Sequence, residues 1–128
     1  MTHTFPVTVY YEDTDMGGIV YHANFLKFIE RARSTWVAEL GVDQVALAET
    51  GTVFVVRRIE ADYLATARLG DVLEVRSDVA EATGVRWILN QEVWRGYTRL
   101  FAARVTIVAM GTGGRPVRLP AELRRSPR

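Results

Sequence analysis

Residues 24–40 read NFLKFIERARSTWVAEL, and this stretch decides which fold the rest of the chain can form. Its large apolar side chains recur every three or four residues, which is the spacing of one face of an α-helix. They are Phe25, Phe28, Ile29, Ala32, Trp36 and Leu40. Charged and hydroxyl side chains fall on the opposite face, and Gly41 follows as a C-terminal cap. The pattern predicts a helix of about five turns over Asn24–Leu40, and its wide aromatic face needs a broad apolar surface to cover it.

The chain on both sides of this helix has the two-residue period of β-strands. One such segment precedes the helix and four follow it: Phe5–Tyr11, Val53–Leu64, Val72–Ala80, Val85–Trp94 and Leu100–Met110. The connections between the later segments are short, so we expect antiparallel neighbours in a meander. An antiparallel sheet with one apolar face would cover the helix. The sequence therefore predicts an α+β fold with a five-stranded sheet wrapped around one long helix.

The length and composition of the chain favour a single domain over residues 1–128. The 128 residues are 48% hydrophobic, which is enough for a core. Asp43–Thr50 predicts a short second helix, and the proline- and arginine-containing segment 115–128 predicts a loosely structured tail. The open edges of the expected sheet also suggest that subunits pair through an edge or a face.

Charge and cysteine content exclude several classes of function. A formal net charge of +1 provides no bulk field for nucleic acid or a membrane surface. The absence of cysteine excludes disulfides, cysteine-ligated zinc and a cysteine nucleophile. His3 and His22 are too far apart in sequence for a typical metal site. The N-terminus lacks the features of a secretory signal and no apolar run matches a membrane span, so we expect a cytoplasmic protein.

The segment Tyr11–Asn24, YEDTDMGGIVYHAN, concentrates the reactive side chains of this sequence. It holds three carboxylates, two adjacent glycines and a histidine immediately before the predicted helix. The first turn of a helix has backbone N–H groups without intrahelical partners and the positive end of the helix dipole. A carboxylate, a flexible turn and a helix start, in this order, suit an enzyme that attacks a carbonyl carbon and stabilises the carbonyl oxygen.

The residues Tyr10–Asn24, followed by Phe28–Arg33, closely resemble the hotdog-fold acyl-CoA thioesterases. The nearest branch is the bacterial thioesterases associated with the Tol–Pal cell-envelope cluster, which are related to 4-hydroxybenzoyl-CoA thioesterase. The resemblance continues through Phe54–Ile59 and Tyr63–Asp71 and covers most of the chain. It implies the hotdog fold and hydrolysis of acyl-CoA to a free carboxylate and CoA, without a cofactor. It also implies a homodimer or homotetramer with active sites between subunits.

Asp15 is the catalytic carboxylate that the resemblance implies, because it occupies the aspartate position of the family's Thr-Asp-x-x-Gly pattern. It could attack the thioester carbonyl and form a mixed anhydride, or it could act as the general base for a water molecule. The competing interpretation is that Asp15 only caps a turn, as aspartates often do before glycine.

His22 occupies a second functional position of the family, seven residues after Asp15. Its ring could hydrogen-bond the substrate or orient Asp15. The backbone amides of Tyr21 and His22 are the candidates for stabilising the thioester oxygen, because they lie at the expected helix start. The competing interpretation of His22 is a helix-entry residue whose side chain is satisfied locally.

Further substrate contacts are expected from the same segment and from scattered cations. Gly17 and Gly18 would let the backbone approach the thioester or adopt a positive φ, and a plain turn is the simpler interpretation. Tyr11 matches a family tyrosine near the site, and core packing at a strand end is its competing interpretation. The phosphates of CoA need cations. The candidates by rough family position are Arg57, Arg58 and Arg86, with the hydroxyl of Thr83. The competing interpretation of each is a surface or strand-face residue. Departures from the family at Met16 and Phe25 bear on the acyl group that is preferred.

Other ionisable residues are assigned surface or structural roles. Glu12 and Asp13 are expected to be solvated or ion-paired, and His3 is expected at a frayed terminus. Glu30 lies on the polar helix face and becomes the alternative carboxylate only if Asp15 is dispensable. The alternative functions are a thioesterase for acyl-carrier-protein substrates and a non-catalytic acyl- or protein-binding scaffold of the cell envelope.

Overall fold

A long helix, α1, lies against an antiparallel sheet in the computed structural model, which describes residues 2–125. The strands are β1 (His3–Thr8), β2 (Val53–Tyr63), β3 (Val72–Ala82), β4 (Trp87–Arg95), β5 (Thr98–Met110) and β6 (Pro116–Val117). The helices are α1 (His22–Glu39), α2 (Gln44–Glu49) and α3 (Ala121–Arg124). Single 3₁₀ turns occur at Tyr11–Asp13 and Thr112–Gly114. The predicted long helix, short helix and five strands are confirmed, and β6 is an additional short strand.

The sheet order is β1-β3-β4-β5-β2, with β6 paired to β5. The predicted meander is confirmed for β3, β4 and β5, but β2 lies beside β5 at the far edge and not beside β3. Segment 64–71 makes this crossing possible. At its start the Leu64 amide donates to Leu100 O (2.8 Å), and near its end the Gly70 amide donates to Val9 O (2.9 Å). The connection from β2 to β3 is short and still crosses the sheet. Its length therefore does not show that these two strands are neighbours.

The apolar face of α1 forms the centre of the core. Phe28, Ile29 and Ala32 are fully buried, and Trp36 packs against Trp87 of β4 with ring centroids 5.4 Å apart. Helix and sheet thus bury the aromatic face that the spacing predicted. Gly41 has a φ of 98°, which agrees with its predicted role as a C-terminal cap.

A buried polar network joins α1 to the middle of the sheet. Arg33 is 8% exposed, and its Nη1 donates to Gln91 Oε1 (2.9 Å). The Gln91 amide donates to Ile29 O (3.0 Å) and to Ser77 Oγ (2.9 Å). Burial lowers the pKa of Arg33, and the charge of Glu30 partly offsets this shift. The network fixes where α1 sits on the sheet, because each donor is directed at one acceptor.

Both ends of the described chain are better ordered than predicted. β1 begins at His3, whose ring stacks on Trp36 (5.3 Å, 14°) and whose Nε2 pairs with Glu39, so the prediction of a frayed His3 is wrong. The predicted loose tail over 115–128 is wrong for residues 115–125, because Leu119 and Leu123 are buried there. Residues 126–128 lie outside the described part. Among the helices of residues 2–125, none has the length and apolarity to cross a membrane.

Candidate active site

A short antiparallel ribbon carries Asp15 to the start of α1. Thr14 pairs with Val20, and the Asp15 amide donates to Ile19 O (3.1 Å). The ribbon reverses at Gly17–Gly18, where Gly18 has a φ of 75° and thus the positive φ that the glycine pair predicted. The ribbon places Asp15 opposite Ile19, three residues before the first residue of α1.

The Asp15 side chain closes the turn with one oxygen and leaves the other open. Its Oδ1 accepts from the Gly17 amide (2.8 Å), while no residue in the described range 2–125 bonds to Oδ2. Asp15 is exposed, so the open oxygen is accessible to a substrate. A methyl group on Gly17 would lie 3.2 Å from Asp15 Oδ1, which explains a glycine at this position. The turn-capping interpretation is therefore confirmed as geometry, and it leaves the second oxygen free for chemistry.

Asp13 has a structural role that the sequence did not predict. It is 6% exposed, and its Oδ2 accepts from the Tyr10 amide (2.9 Å). Its carbonyl oxygen accepts from the Tyr21 amide (2.9 Å) and from Asn24 Nδ2 (2.9 Å). The prediction of a solvated or ion-paired Asp13 is wrong, because Asp13 is buried and these hydrogen bonds join the end of the 3₁₀ turn to the start of α1. Glu12 is exposed, as predicted.

The first turn of α1 offers two unpaired amides. The helix begins at His22, two residues earlier than predicted, and Tyr21 is its N-cap. The Tyr21 amide already donates to Asp13 O, so its assignment as an oxygen-stabilising donor is wrong. Within residues 2–125 no acceptor is bonded to the amides of His22 and Ala23. The available pair is therefore His22 and Ala23, at the positive end of an 18-residue helix.

The His22 ring faces aromatic neighbours and does not hydrogen-bond Asp15. Its centroid lies 4.7 Å from that of Tyr21 and 6.0 Å from that of Tyr63. Asp15 pairs with Ile19, and the three residues from Ile19 to His22 span about 10 Å of extended chain. The ring therefore contributes to the aromatic contacts at the helix start and does not set the position of Asp15.

Tyr63 is the site residue that the sequence analysis missed. Its hydroxyl donates to His22 O (3.0 Å), and its ring packs edge-on against Phe101 with centroids 5.0 Å apart. Burial raises the pKa of Tyr63, so the hydroxyl stays protonated as a donor. Periodicity marked Tyr63 only as a strand residue, because its contact with the helix start requires the crossing of segment 64–71.

A cavity of about 270 Å³ lies beside these groups. It is lined by Ile19, Val20, His22, Phe25, Tyr63, Leu64, Ala65 and Thr66. Most of this surface is apolar, which suits an acyl group more than a charged one. The pocket therefore reaches the first residue of α1, His22, and the end of β2 at Tyr63.

Segment 64–71 frames the ribbon from the other side. Val20 donates its amide to Ala67 O (2.8 Å), and Ile19 pairs with Arg68. Arg95 Nη1 holds the segment by donating to Thr66 O (2.9 Å). Arg68 is exposed, so its guanidinium is a cation beside the Asp15 turn that the sequence analysis did not select.

The predicted cation candidates do not converge on Asp15 within one chain. Thr83 and Arg86 lie beyond the Ala82 end of β3, whereas the ribbon lies beside the Val72 end. The 11 residues of β3 span about 33 Å. Thr83 Oγ1 accepts from the Arg86 amide (2.9 Å), so this hydroxyl is occupied by its own turn.

The remaining predicted contacts are exposed and do not touch the ribbon's open carboxylate. Arg57 is exposed at a β-bulge of β2, and Arg58 pairs with Glu60 (3.6 Å) on the surface. Tyr11 is 82% exposed in the 3₁₀ turn. Across residues 2–125, no group of three or more histidines and carboxylates is arranged to hold a metal ion.

Comparisons with known proteins agree on one family. A family model described as the thioesterase-like superfamily matches residues 9–126. An acyl-CoA thioesterase YbgC of Haemophilus influenzae is 40% identical over 123 residues, covering 94% of this chain and 90% of that protein. A Helicobacter pylori acyl-CoA thioesterase YbgC is 49% identical over 86 residues, covering 67% and 62%.

A solved structure agrees with the sequence relatives. A probable thioesterase from Bartonella henselae superposes with a TM-score of 0.90 at 33% identity, covering 94% of this chain and all of that one. The predicted hotdog architecture, in which a sheet wraps one long helix, is thereby confirmed.

Proposed function

The chain belongs to the thioesterase-like superfamily, and from that membership we propose that it is an acyl-CoA thioesterase that produces a free carboxylate and CoA. One observation carries the proposal beyond the family. The open Oδ2 of Asp15 and the unpaired amides of His22 and Ala23 belong to one short segment, and Ile19, Val20 and His22 of that segment line an apolar cavity. A thioester needs these three elements: a base or nucleophile, donors to its oxygen, and an apolar pocket for its acyl group.

In the proposed mechanism, the start of α1 stabilises the negative charge that develops on the thioester oxygen. The amides of His22 and Ala23 donate to the carbonyl oxygen, and their effect grows as that oxygen becomes negative. Asp15 then follows one of two routes. It attacks the carbonyl carbon, expels CoA thiolate and forms a mixed anhydride that water hydrolyses, or it removes a proton from water as the water attacks and the C–S bond breaks.

The strand β2 supports a further part of the proposal, a two-fold pairing of subunits. β2 pairs only with β5 among the described strands, and its other edge is open. Val53, Val56, Ile59 and Tyr63 are exposed along it. Such an apolar open edge is a place for another strand to pair. Within one chain, Arg86 and Asp15 lie near opposite ends of β3, which spans about 33 Å. If β2 pairs antiparallel with β2 of a second subunit, the end of the sheet that carries Arg86 of the partner subunit comes to the side of Asp15.

Ile59→Lys is expected to convert the assembly to monomers and to lower hydrolysis with it. Ile59 is exposed and lies one residue from the middle of β2, so lysines there would be close together across a two-fold axis at the centre of the paired strands. Light scattering measures the mass of the assembly, and the wild-type mass also distinguishes a dimer from a tetramer. Tyr97→Lys is the matched control, because Tyr97 is fully exposed in the β4–β5 turn. A wild-type monomer, or an Ile59→Lys variant of unchanged mass, would contradict the pairing.

A thioester panel tests the proposed activity directly. The purified protein is expected to release free thiol from acyl-CoA substrates, and the panel runs from short aliphatic to long-chain and aromatic acyl groups. The same acyl groups on acyl carrier protein form the second arm. Faster turnover of the carrier-protein substrates would make those the substrate class. No hydrolysis of any thioester would reject the enzyme and leave a binding scaffold as the function.

A further inference from the structure

Tyr63 connects the edge strand of the sheet to the first turn of α1. It is the last residue of β2, where it pairs with Phe101 of β5. Its hydroxyl reaches across to donate to His22 O at 3.0 Å, and its ring lies edge-on to the His22 ring at 6.0 Å. The hydroxyl therefore makes a directed contact with the backbone of the residue that opens the helix.

The bonded carbonyl belongs to the same peptide group as a free amide. His22 C=O and Ala23 N–H lie in one plane, because the peptide bond does not rotate. A bond that holds the His22 oxygen thus also sets the direction of the Ala23 hydrogen. Within residues 2–125, that hydrogen has no acceptor of its own. A donor to the carbonyl also polarises the peptide group and strengthens its N–H as a donor.

A hydrogen bond from outside the helix stabilises the first turn more than it would stabilise the helix interior. Helix ends fray, and Tyr21 provides no side-chain cap to α1. The Tyr63 ring itself is held by Phe25 at 6.0 Å and by Phe101 at 5.0 Å. The hydroxyl is thus anchored by the core on one side and bonded to the helix start on the other.

We propose that Tyr63 is a positioning residue for thioester hydrolysis, whose hydroxyl holds the His22–Ala23 peptide group so that the Ala23 amide points at the substrate oxygen. The inference rests on the proposed function. It adds a residue that acts through the backbone and does not itself touch the reacting atoms. The contact matters most in the transition state, because the oxygen carries its largest negative charge there.

Tyr63→Phe tests this role, because it removes the hydroxyl and keeps the ring that packs on Phe101. We expect kcat to fall about tenfold, the size of one hydrogen bond of ordinary net strength, while KM stays near the wild-type value. Tyr97→Phe is the control, since the Tyr97 side chain is fully exposed and makes no hydrogen bond in the described structure. An unchanged kcat in Tyr63→Phe would overturn the inference, as would a loss that falls on KM alone.

Site-specific 3-fluorotyrosine at position 63 separates positioning from packing. Its phenol is a stronger donor of nearly the same shape, so kcat is expected to match or exceed that of the wild type. A kcat as low as that of Tyr63→Phe would overturn the role of the hydroxyl. Asp15→Asn, assayed in parallel, distinguishes a failure of the role of Tyr63 from a failure of the proposed thioesterase activity. An inactive Asp15→Asn with a fully active Tyr63→Phe rejects only the role of Tyr63, and an inactive wild type rejects the proposed function and this role together.

Discussion

Asp15→Asn is expected to lower kcat for acyl-CoA hydrolysis by about 10²–10⁴-fold, the usual contribution of a positioned acid or base. The substitution is nearly isosteric. The asparagine carbonyl can still accept from the Gly17 amide, which in the wild type donates to Oδ1 at 2.8 Å. The turn is therefore preserved, while the open oxygen is replaced by an NH₂ group that is neither a base nor a nucleophile. Folding stability should stay close to that of the wild type.

Single-turnover release of CoA measures this effect, because it reports the chemical step without product release. Glu12→Gln is the matched control: it neutralises an exposed carboxylate three residues away and should leave the rate unchanged. A wild-type rate in Asp15→Asn would remove Asp15 from the mechanism. Glu30 on α1 would then be the carboxylate to test, through Glu30→Gln.

Gln91→Leu is expected to destabilise the protein by about 3 kcal/mol, the upper range for losing a hydrogen bond to a charged group. Gln91 is fully buried, and its oxygen is the acceptor for Arg33 Nη1 in the described structure. Leucine has a similar size but no acceptor, so the arginine loses that bond in a buried position. The Ser77 hydroxyl and the Ile29 carbonyl lose their donor as well. Urea denaturation of the assembled protein measures the change.

The double variant Arg33→Met/Gln91→Leu is the control for this interpretation. Removing both members of a buried polar pair can be nearly neutral, because no uncompensated charge is left behind. The double variant should therefore be more stable than Gln91→Leu alone. If both variants lose the same stability, the cost lies in packing at position 91 and not in the unpaired guanidinium.

Periodicity predicted the elements well because each buries one face. Phe28, Ile29 and Ala32 of α1 are fully buried, and the inward residues of β3 to β5 alternate as the sequence does. Periodicity was wrong at the chain ends, where short elements carry too few residues to show a period. β6 has two residues and α3 has four. Both are held by contacts with the rest of the fold and not by a pattern of their own.

In the candidate site too, a local sequence motif identified some residues, and others come together only in the folded chain. The Asp15 side chain, the glycine turn and the helix start are consecutive in sequence, so a local motif was enough to select them. Tyr63 lies 41 residues from His22 and bonds to it only through the crossing of segment 64–71. Nothing in the sequence marks the charged residues Asp13 and Arg33 as buried, yet both are, and Arg33 bonds to Gln91, 58 residues further along the chain.

The sequence by itself determined the helix, the strands, the family and the segment that carries Asp15, because these depend on neighbouring residues and on the period of apolar side chains. The tertiary structure decided which backbone amides remain free. Tyr21 is a candidate in sequence, but its amide is bonded to Asp13 O, and this leaves the amides of His22 and Ala23. Which amides are left without an acceptor depends on hydrogen bonds between segments that meet only after folding, because a backbone donor pairs with an acceptor that lies close to it in the folded chain.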